Sequence, residues 1–369
     1  MHVLVLNPGS ATLKASVVTP PDRGIRFSRT AAWNPDQAPG PASAVQAVVT
    51  AALDALPSGT TIDAVGYRVV HGGDRFTAPT LLDDRAVDVI EALGDLAPLH
   101  NPIAARTIRA ARAILPGIPH VAVFDTAFHA SLPEAAIRYP VPESWYSEAG
   151  IRRYGFHGLS VAWSVRRASE LLDRPAAELG LVVAHLGGGC SVTAVEGGRS
   201  IDTSMGMTPL EGLMMGTRAG SIDPGIIFRR IRTGQSPAAV EADLDRHSGL
   251  LAVGGSADMQ RLLDLERQGD GAATLAITMF IRRAAAGIAA AATHLAAVDA
   301  IVFTGGIGEH ATAVTVRIGE RLHLVGRVVS ETTDGEDRVV HHATGPAIVR
   351  VAAREDVVIA DGVSAAMPA

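Results

Sequence analysis

"VLVLNPGSATLKASVV" (3–18) and "LVVAHLGGGCSVTAVEGG" (181–198) follow one plan: an apolar run, a glycine-containing turn, a Ser-x-Thr and a second apolar run. Ser10 and Thr12 of the first stand 181 residues before Ser191 and Thr193 of the second, close to half of the 369-residue chain. A strand, a hydroxyl-bearing turn and a returning strand, once per half, predict a duplicated domain with a cleft between the copies. The period is far too long for a solenoid. Turns rich in Gly and Ser can aim backbone N–H groups at a phosphate, and two of them would clamp a polyphosphate. The same pattern also suits two ordinary β-hairpins.

Further apolar runs of strand length recur at 2–6, 64–70, 120–124, 181–185, 300–304 and 348–353. Stretches with helical spacing lie between several of them, at 84–94, 103–114, 161–172 and 271–297. Continuous apolar strands alternating with helices predict an α/β fold, with a mostly parallel sheet covered on both faces. The longest apolar region, 284–303, is broken by His294 and Asp299, and reads as a buried helix followed by a strand.

Composition narrows the function. With 47% hydrophobic and 19% charged residues, the chain is that of a soluble globular protein long enough for two domains. A net charge of −6 disfavours a nucleic-acid partner, and no polybasic run suits an anionic membrane. The single cysteine, Cys190, can form neither an internal disulfide nor a thiolate metal site, which fits a reducing cytosol; it reads as a small packing residue. The N-terminal apolar run is too short for a signal peptide, so a cytoplasmic location is expected.

A third glycine cluster, "FTGGIGEHA" (303–311), follows an apolar run. None of the three clusters has the Walker pattern, and "GGIGEH" lacks the dinucleotide spacing, which disfavours a P-loop NTPase and a Rossmann dehydrogenase. Several polar residues interrupt apolar ground beside Gly or Pro turns: Arg68, His100, Asp125, His157, His185 and Arg218. Buried charges are rare unless paired or bound, so their convergence points to a site. Two arginine forks imply an anionic reaction centre. Asp125, following the strand "HVAVF", could hold Mg²⁺ directly or through water. These parts suit phosphoryl transfer. In "MTPLEGLMMGTRAG" (207–220), Thr208 and Glu211 read as a capping box with Pro209 at the first position of a short helix, placing Arg218 on the turn behind it.

Taken in order, "LNPGSATLK", "GYRVVHGGDRF", "LAPLHNP", "VFDTAFHASLP", "RRYGFHG", "HLGGGCSVTAV", "GGRSIDTSMGMTPLEGLMMGTRAGSIDPG" and "FTGGIGEH" resemble the acetate/propionate kinase family of the sugar kinase, Hsp70 and actin superfamily. The resemblance implies two RNase H-like lobes, 1–127 plus 356–369 and 128–355, and a cleft for ATP and Mg²⁺, with Mn²⁺ as a substitute. It implies transfer of the γ-phosphoryl group to a short-chain carboxylate. By motif match, Asn7, Ser10, Thr12 and Lys14 face the phosphates and metal, and Glu355 joins Asn7 at the magnesium site. Arg68, Asp125, His157 and Arg218 match the catalytic set, His157 stabilising the transferring phosphoryl group. His100, His185, Gly187, Gly188, Gly189, Asp258, Gly305, Gly306, Ile307, Gly308 and His310 fall at phosphate or nucleotide positions. Arg68, Val70, Leu99, Phe156 and Pro209 match the acetate pocket, whose apolar walls favour acetate or propionate. A homodimer through the second lobe is also implied.

Departures from the family pattern include Gly188 for Asn in "HLGNG", Leu159 and Val161 for Thr and His in "GFHGTSH", and His310 for Asn in "GIGEN". "SADMQ" (256–260) keeps Asp258 and has Gln260 where the family has Arg. Most of these fall at nucleotide contacts, so altered donor affinity is expected more than lost catalysis. Two rival readings remain open: a kinase for butyrate or branched short-chain acids, and a non-catalytic ATP-binding switch.

Overall fold

The computed structural model describes residues 1–9, 12–32, 41–98, 100–322, 337–340 and 345–367. Ser10 and Leu99 lie outside the described residues. The chain divides into two compact units: Met1–Ala130 with Phe156–Leu159 and Arg354–Ala369, and Ser131–Gly155 with Ser160–Ala353.

The first unit is built on strands β1 (Val3–Pro8), β2 (Thr12–Thr19), β3 (Gly24–Ala32), β4 (Ala64–Val69), β5 (Thr80–Leu81) and β6 (His120–Phe124). The second is built on β7 (Gly180–Leu186), β8 (Cys190–Glu196), β9 (Arg199–Thr203), β10 (Ala300–Thr304), β11 (Arg338–Val340) and β12 (Ala347–Arg350). The sheets run β3-β2-β1-β4-β6-β5 and β9-β8-β7-β10-β12-β11. In each, the first three strands form an antiparallel meander, the next two join in parallel and the edge strand is antiparallel. The duplication read from the two hairpins therefore extends to the whole sheet. Each unit has the RNase H-like plan of the actin-like α/β fold.

Continuous apolar runs are explained by burial on both faces. Side chains alternate along a strand, so Leu4 and Leu6 join one core with Tyr67 and Phe124. Val3 and Val5 point the other way, into a cluster with Val121, Val123, Ile359 and Val363. The helix Glu355–Ala366 lies so close to β4 that a Cβ on Gly66 would meet Ile359 Cγ2 at 2.6 Å. Leu159, a departure from the family pattern, is buried in this same cluster.

In the second unit, helix Gly271–Ala292 buries Ala273, Ile277, Phe280, Ala284, Ile288 and Ala291, a stripe at helical spacing. It is long and apolar enough to cross a bilayer by length and composition. Its buried stripe marks it as the core helix expected ahead of the strand at 300–304. Cys190 is fully buried, and burial pushes its thiol up to about 12. That is the inert packing role its sequence context implies.

Candidate active site

Strand alternation assembles the first unit's polar cluster. Val3, Val5 and Asn7 share a face of β1, Gly66 and Arg68 a face of β4, and Val121 and Val123 the corresponding face of β6, with Asp125 just past its end. Because the three strands are parallel, Asn7, Arg68 and Asp125 emerge together at their C-terminal ends, the ligand-bearing edge of α/β sheets. The helix Glu355–Ala366 covers that face and brings Glu355 to the same place.

Arg68 anchors the cluster. Its Nη2 donates to Asp125 Oδ2 at 2.6 Å, and Nε lies 3.1 Å from both carboxylate oxygens. Nη1 donates to Asn7 Oδ1 at 3.4 Å, and Nε is 3.8 Å from Glu355 Oε2. Asn7 Nδ2 donates to Glu355 Oε2 at 3.0 Å. Burial alone would lower the Arg68 guanidinium, but the charges of Asp125 and Glu355 hold it above its usual range. Burial pushes the Asp125 carboxyl up to about 6, against the pull of Arg68.

Asn7 Oδ1 and the Glu355 carboxylate are hard oxygen donors of the kind Mg²⁺ takes; here the Asn7 amide nitrogen donates to Glu355 while its oxygen accepts from Arg68. Among the described residues, no group of three or more His, Cys, Asp or Glu forms a cage by itself. A cation held by few protein oxygens and completed by water and phosphate fits this donor set.

His157 precedes the helix Gly158–Leu172 in left-handed backbone, with φ of +60°. For a residue with a side chain this conformation costs roughly 1–2 kcal/mol, so the surroundings must impose it. Gly158 N donates to Asp125 O at 2.9 Å, and a Cβ on Gly158 would sit 2.1 Å from that oxygen. Only glycine fits there. Phe156 and Val70 are buried. His71, which sequence reasoning missed together with Asn101, meets the Phe156 ring edge-on. Asn101 accepts from His71 N at 3.1 Å and donates to His71 O at 2.9 Å. His100 opens the helix Asn101–Ile114.

Of the first hairpin, Thr12 and Lys14 are exposed beside Asn7, which pairs with Lys14 across the strands. The second hairpin differs. Ser191 and Thr193 are fully buried, and Thr193 Oγ1 bonds Thr203 Oγ1 at 3.0 Å. That turn can therefore meet a ligand through its glycine backbone and not through these hydroxyls. A Cβ on Gly187 would lie 3.7 Å from both His185 Nε2 and Gly306 N, so the two glycine loops of the second unit adjoin. Gly305 has φ of +77° and packs on the Leu186 backbone. Gly188 is exposed, with nothing within 4 Å of where its Cβ would stand. Ser160 Oγ lies 2.8 Å from His185 Nδ1 and orients that ring.

Other residues are placed as follows. Gly189 accepts through its carbonyl from Gly187 N at 3.0 Å, closing the tip of the turn. Ile307 and Gly308 are buried in the helix Gly305–His310, whose last side chain, His310, is exposed beside Glu309. Asp258 Oδ1 caps the helix Met259–Arg267, accepting from Gln260 N at 2.8 Å.

The segment around Arg218 overturns one expectation. Residues 207–220 contain no helix. Glu211 does not cap; it accepts from Tyr139 Oη and from Arg153 Nη2, the latter at 3.0 Å. Gly212, at φ of +106°, turns the chain away from helical backbone. Arg218 is instead mounted on an irregular loop. Its Nε donates to Asp245 Oδ1 at 2.9 Å and Nη1 to Pro209 O at 3.4 Å, while Met215 N donates to Arg218 O at 3.1 Å. Asp245 lies 27 residues away, and nothing in the local sequence flags it.

Duplicated RNase H-like units, one with an arginine–carboxylate cluster and the other with adjoining glycine loops, mark a phosphoryl-transfer enzyme of the actin-like class. The chain belongs to the acetokinase family, whose profile matches residues 34–361. It is 42% identical to an acetate kinase of Deinococcus radiodurans over 388 aligned positions, spanning 98% of this chain and 96% of that one. An acetate kinase of Synechococcus sp. is 41% identical, spanning 98% of each. An acetate kinase from Porphyromonas gingivalis superposes with a TM-score of 0.89 at 32% identity over 100% of both chains. A propionate kinase from Francisella tularensis does so at 0.85 and 33% over 98% of both.

Proposed function

We propose that the protein transfers the γ-phosphoryl group of ATP to acetate, or to propionate, giving the acyl phosphate and ADP in a reversible, direct in-line reaction. The observation that carries this reading is the hold of Arg68 on Asp125. Both of its oxygens are held by Arg68 and its side chain is 1% exposed, so it is poorly placed to take a proton from an acceptor. An alcohol acceptor needs such a base. A carboxylate acceptor arrives ionised and needs none.

The remaining obstacle is bringing an anion against a polyanion. Arg68 and Arg218 offset the charge, and His157 donates to the oxygens of the transferring group. Asp125 holds Arg68 in position. Asn7 and Glu355 would hold Mg²⁺, which supplies charge neutralisation on the phosphates when bound. The exposed first-unit residues Thr12 and Lys14, with the backbone of Gly187, Gly188, Gly189, Gly305 and Gly306, engage the phosphates. Val70, Leu99, Phe156 and Pro209 select a small acyl chain.

A hydroxamate assay with ATP, Mg²⁺ and a series from acetate to butyrate tests the reading. Acyl phosphate from acetate or propionate supports it; a preference for butyrate moves the substrate, and no product from any acid refutes kinase activity. The functional form is a cytoplasmic homodimer. Support for the dimer comes from the helix Pro224–Arg232, which has no buried residue and exposes Ile226, Phe228 and Ile231. Sedimentation as a monomer would contradict it.

A further inference from the structure

We infer that His129, a residue the proposed mechanism does not use, is a positioning residue that sets the His157 imidazole by holding the peptide bond in front of it. This inference rests on the role given to His157 above. His129 is 1% exposed, in the short helical turn Ala127–Ser131 that follows β6. Its Nε2 lies 2.9 Å from Phe156 O. A carbonyl only accepts, so Nε2 carries the proton and donates. Burial lowers this imidazole to about 4, so it stays a neutral, fixed donor through the working pH range.

The geometry around His157 gives that single bond its leverage. The backbone of a residue is set by the orientation of its two flanking peptide planes. The plane before His157 carries the Phe156 carbonyl, held by His129. The plane after it carries the Gly158 N–H, held by Asp125 O at 2.9 Å. Both holds come from the same stretch, 125–129. That stretch is itself tied to β4 and to the segment just after it, since Asp125 N donates to Val69 O and Thr126 Oγ1 accepts from Gly72 N, each at 3.0 Å. The left-handed backbone of His157 is thus clamped from both sides by the segment that carries Asp125. Phe156 is further fixed by edge contact with the His71 ring, centroids 5.4 Å apart.

The test compares His129→Gln, whose amide nitrogen can reach the position of Nε2, with His129→Asn, whose amide falls short. The Asn variant is expected to lose kcat by roughly tenfold to a hundredfold, the cost of ångström-scale misplacement, with KM for acetate and ATP near the parent. The Gln variant is expected to recover most of that loss. Combined with His157→Ala, the Asn substitution is expected to add no further loss, because its effect passes through His157. Equal kcat in the Gln and Asn variants, or a loss that multiplies that of His157→Ala, overturns the inference. Full activity of His157→Ala alone would instead refute the role of His157, which separates the two failures.

Discussion

Arg68 and Asp125 occupy neighbouring parallel strand ends, and the guanidinium closes on the carboxylate through Nε and Nη2, the shorter contact being 2.6 Å. Both are mostly or wholly withdrawn from solvent, at 19% and 1% side-chain exposure. Each is therefore costly to leave alone. Arg68→Ala is expected to abolish most turnover and to destabilise the first unit by about 3–5 kcal/mol, the cost of stranding a buried charge. Denaturant titration and kcat on the same preparation check both.

Arg218→Ala should lose comparable activity at a smaller cost in stability. Its partner Asp245 is 22% exposed and can be rehydrated, so about 1–3 kcal/mol is expected. A variant that turned over normally would remove Arg218 from the proposed chemistry.

Gly188→Asn restores the residue that the family pattern carries in this turn. Nothing lies within 4 Å of the added Cβ, so the substitution should leave the melting temperature unchanged. A lower KM for ATP is expected, since the amide adds a donor to a turn that otherwise offers backbone alone. An unchanged KM would mark the loop as a plain turn.

Gly158→Ala should be severely destabilising although it adds one methyl. The Cβ would fall 2.1 Å from Asp125 O and 2.8 Å from Phe128 Cβ. Overpacking of this kind costs at least about 1–3 kcal/mol, and here it also pushes on the carbonyl that fixes His157. Thermal melts compared with a neutral helix-surface Gly→Ala control would reveal it.

His129 makes the protein sensitive to acid in a defined window. Its imidazole titrates at about 4 when folded, below the usual 6.5 of the unfolded chain. As pH falls from 6.5 towards 4, the unfolded state takes up a proton that the native state refuses, so stability falls. His129→Gln removes that uptake. The stability of this variant relative to the parent should improve by about 3 kcal/mol across the window. Comparing the two proteins cancels the opposite contribution of Asp125, whose raised carboxyl favours the native state on acidification.

Much of the fold was legible because its signal is local. The apolar runs at 120–124 and 300–304 became β6 and β10, and the Ser-x-Thr hairpins became the first two strands of each meander. The polar residues at the ends of apolar strands were also visible, because period-two alternation carries a strand's face into its last residue. What stayed hidden is non-local. Asp245 meets Arg218, His129 meets Phe156 and Ser160 meets His185 from 25 to 27 residues away. The short helix expected from Pro209 failed for the same reason. Thr208 and Glu211 have cap spacing, but Arg153 and Tyr139 compete for the carboxylate, and no window around 211 contains them.

The helix Glu355–Ala366 closes the first unit although 353 residues of chain precede Arg354, where that last segment begins. During synthesis, the sheet face of Val3, Val5, Val121 and Val123 must wait uncovered until Ile359, Ala360 and Val363 have been made. Asn7 waits equally long for Glu355, 348 residues downstream. A ribosome that stops early therefore releases a product with an open apolar face and an incomplete acidic set. Exposed apolar surface of that kind favours aggregation, so the last helix completes both the core and the site of the first unit.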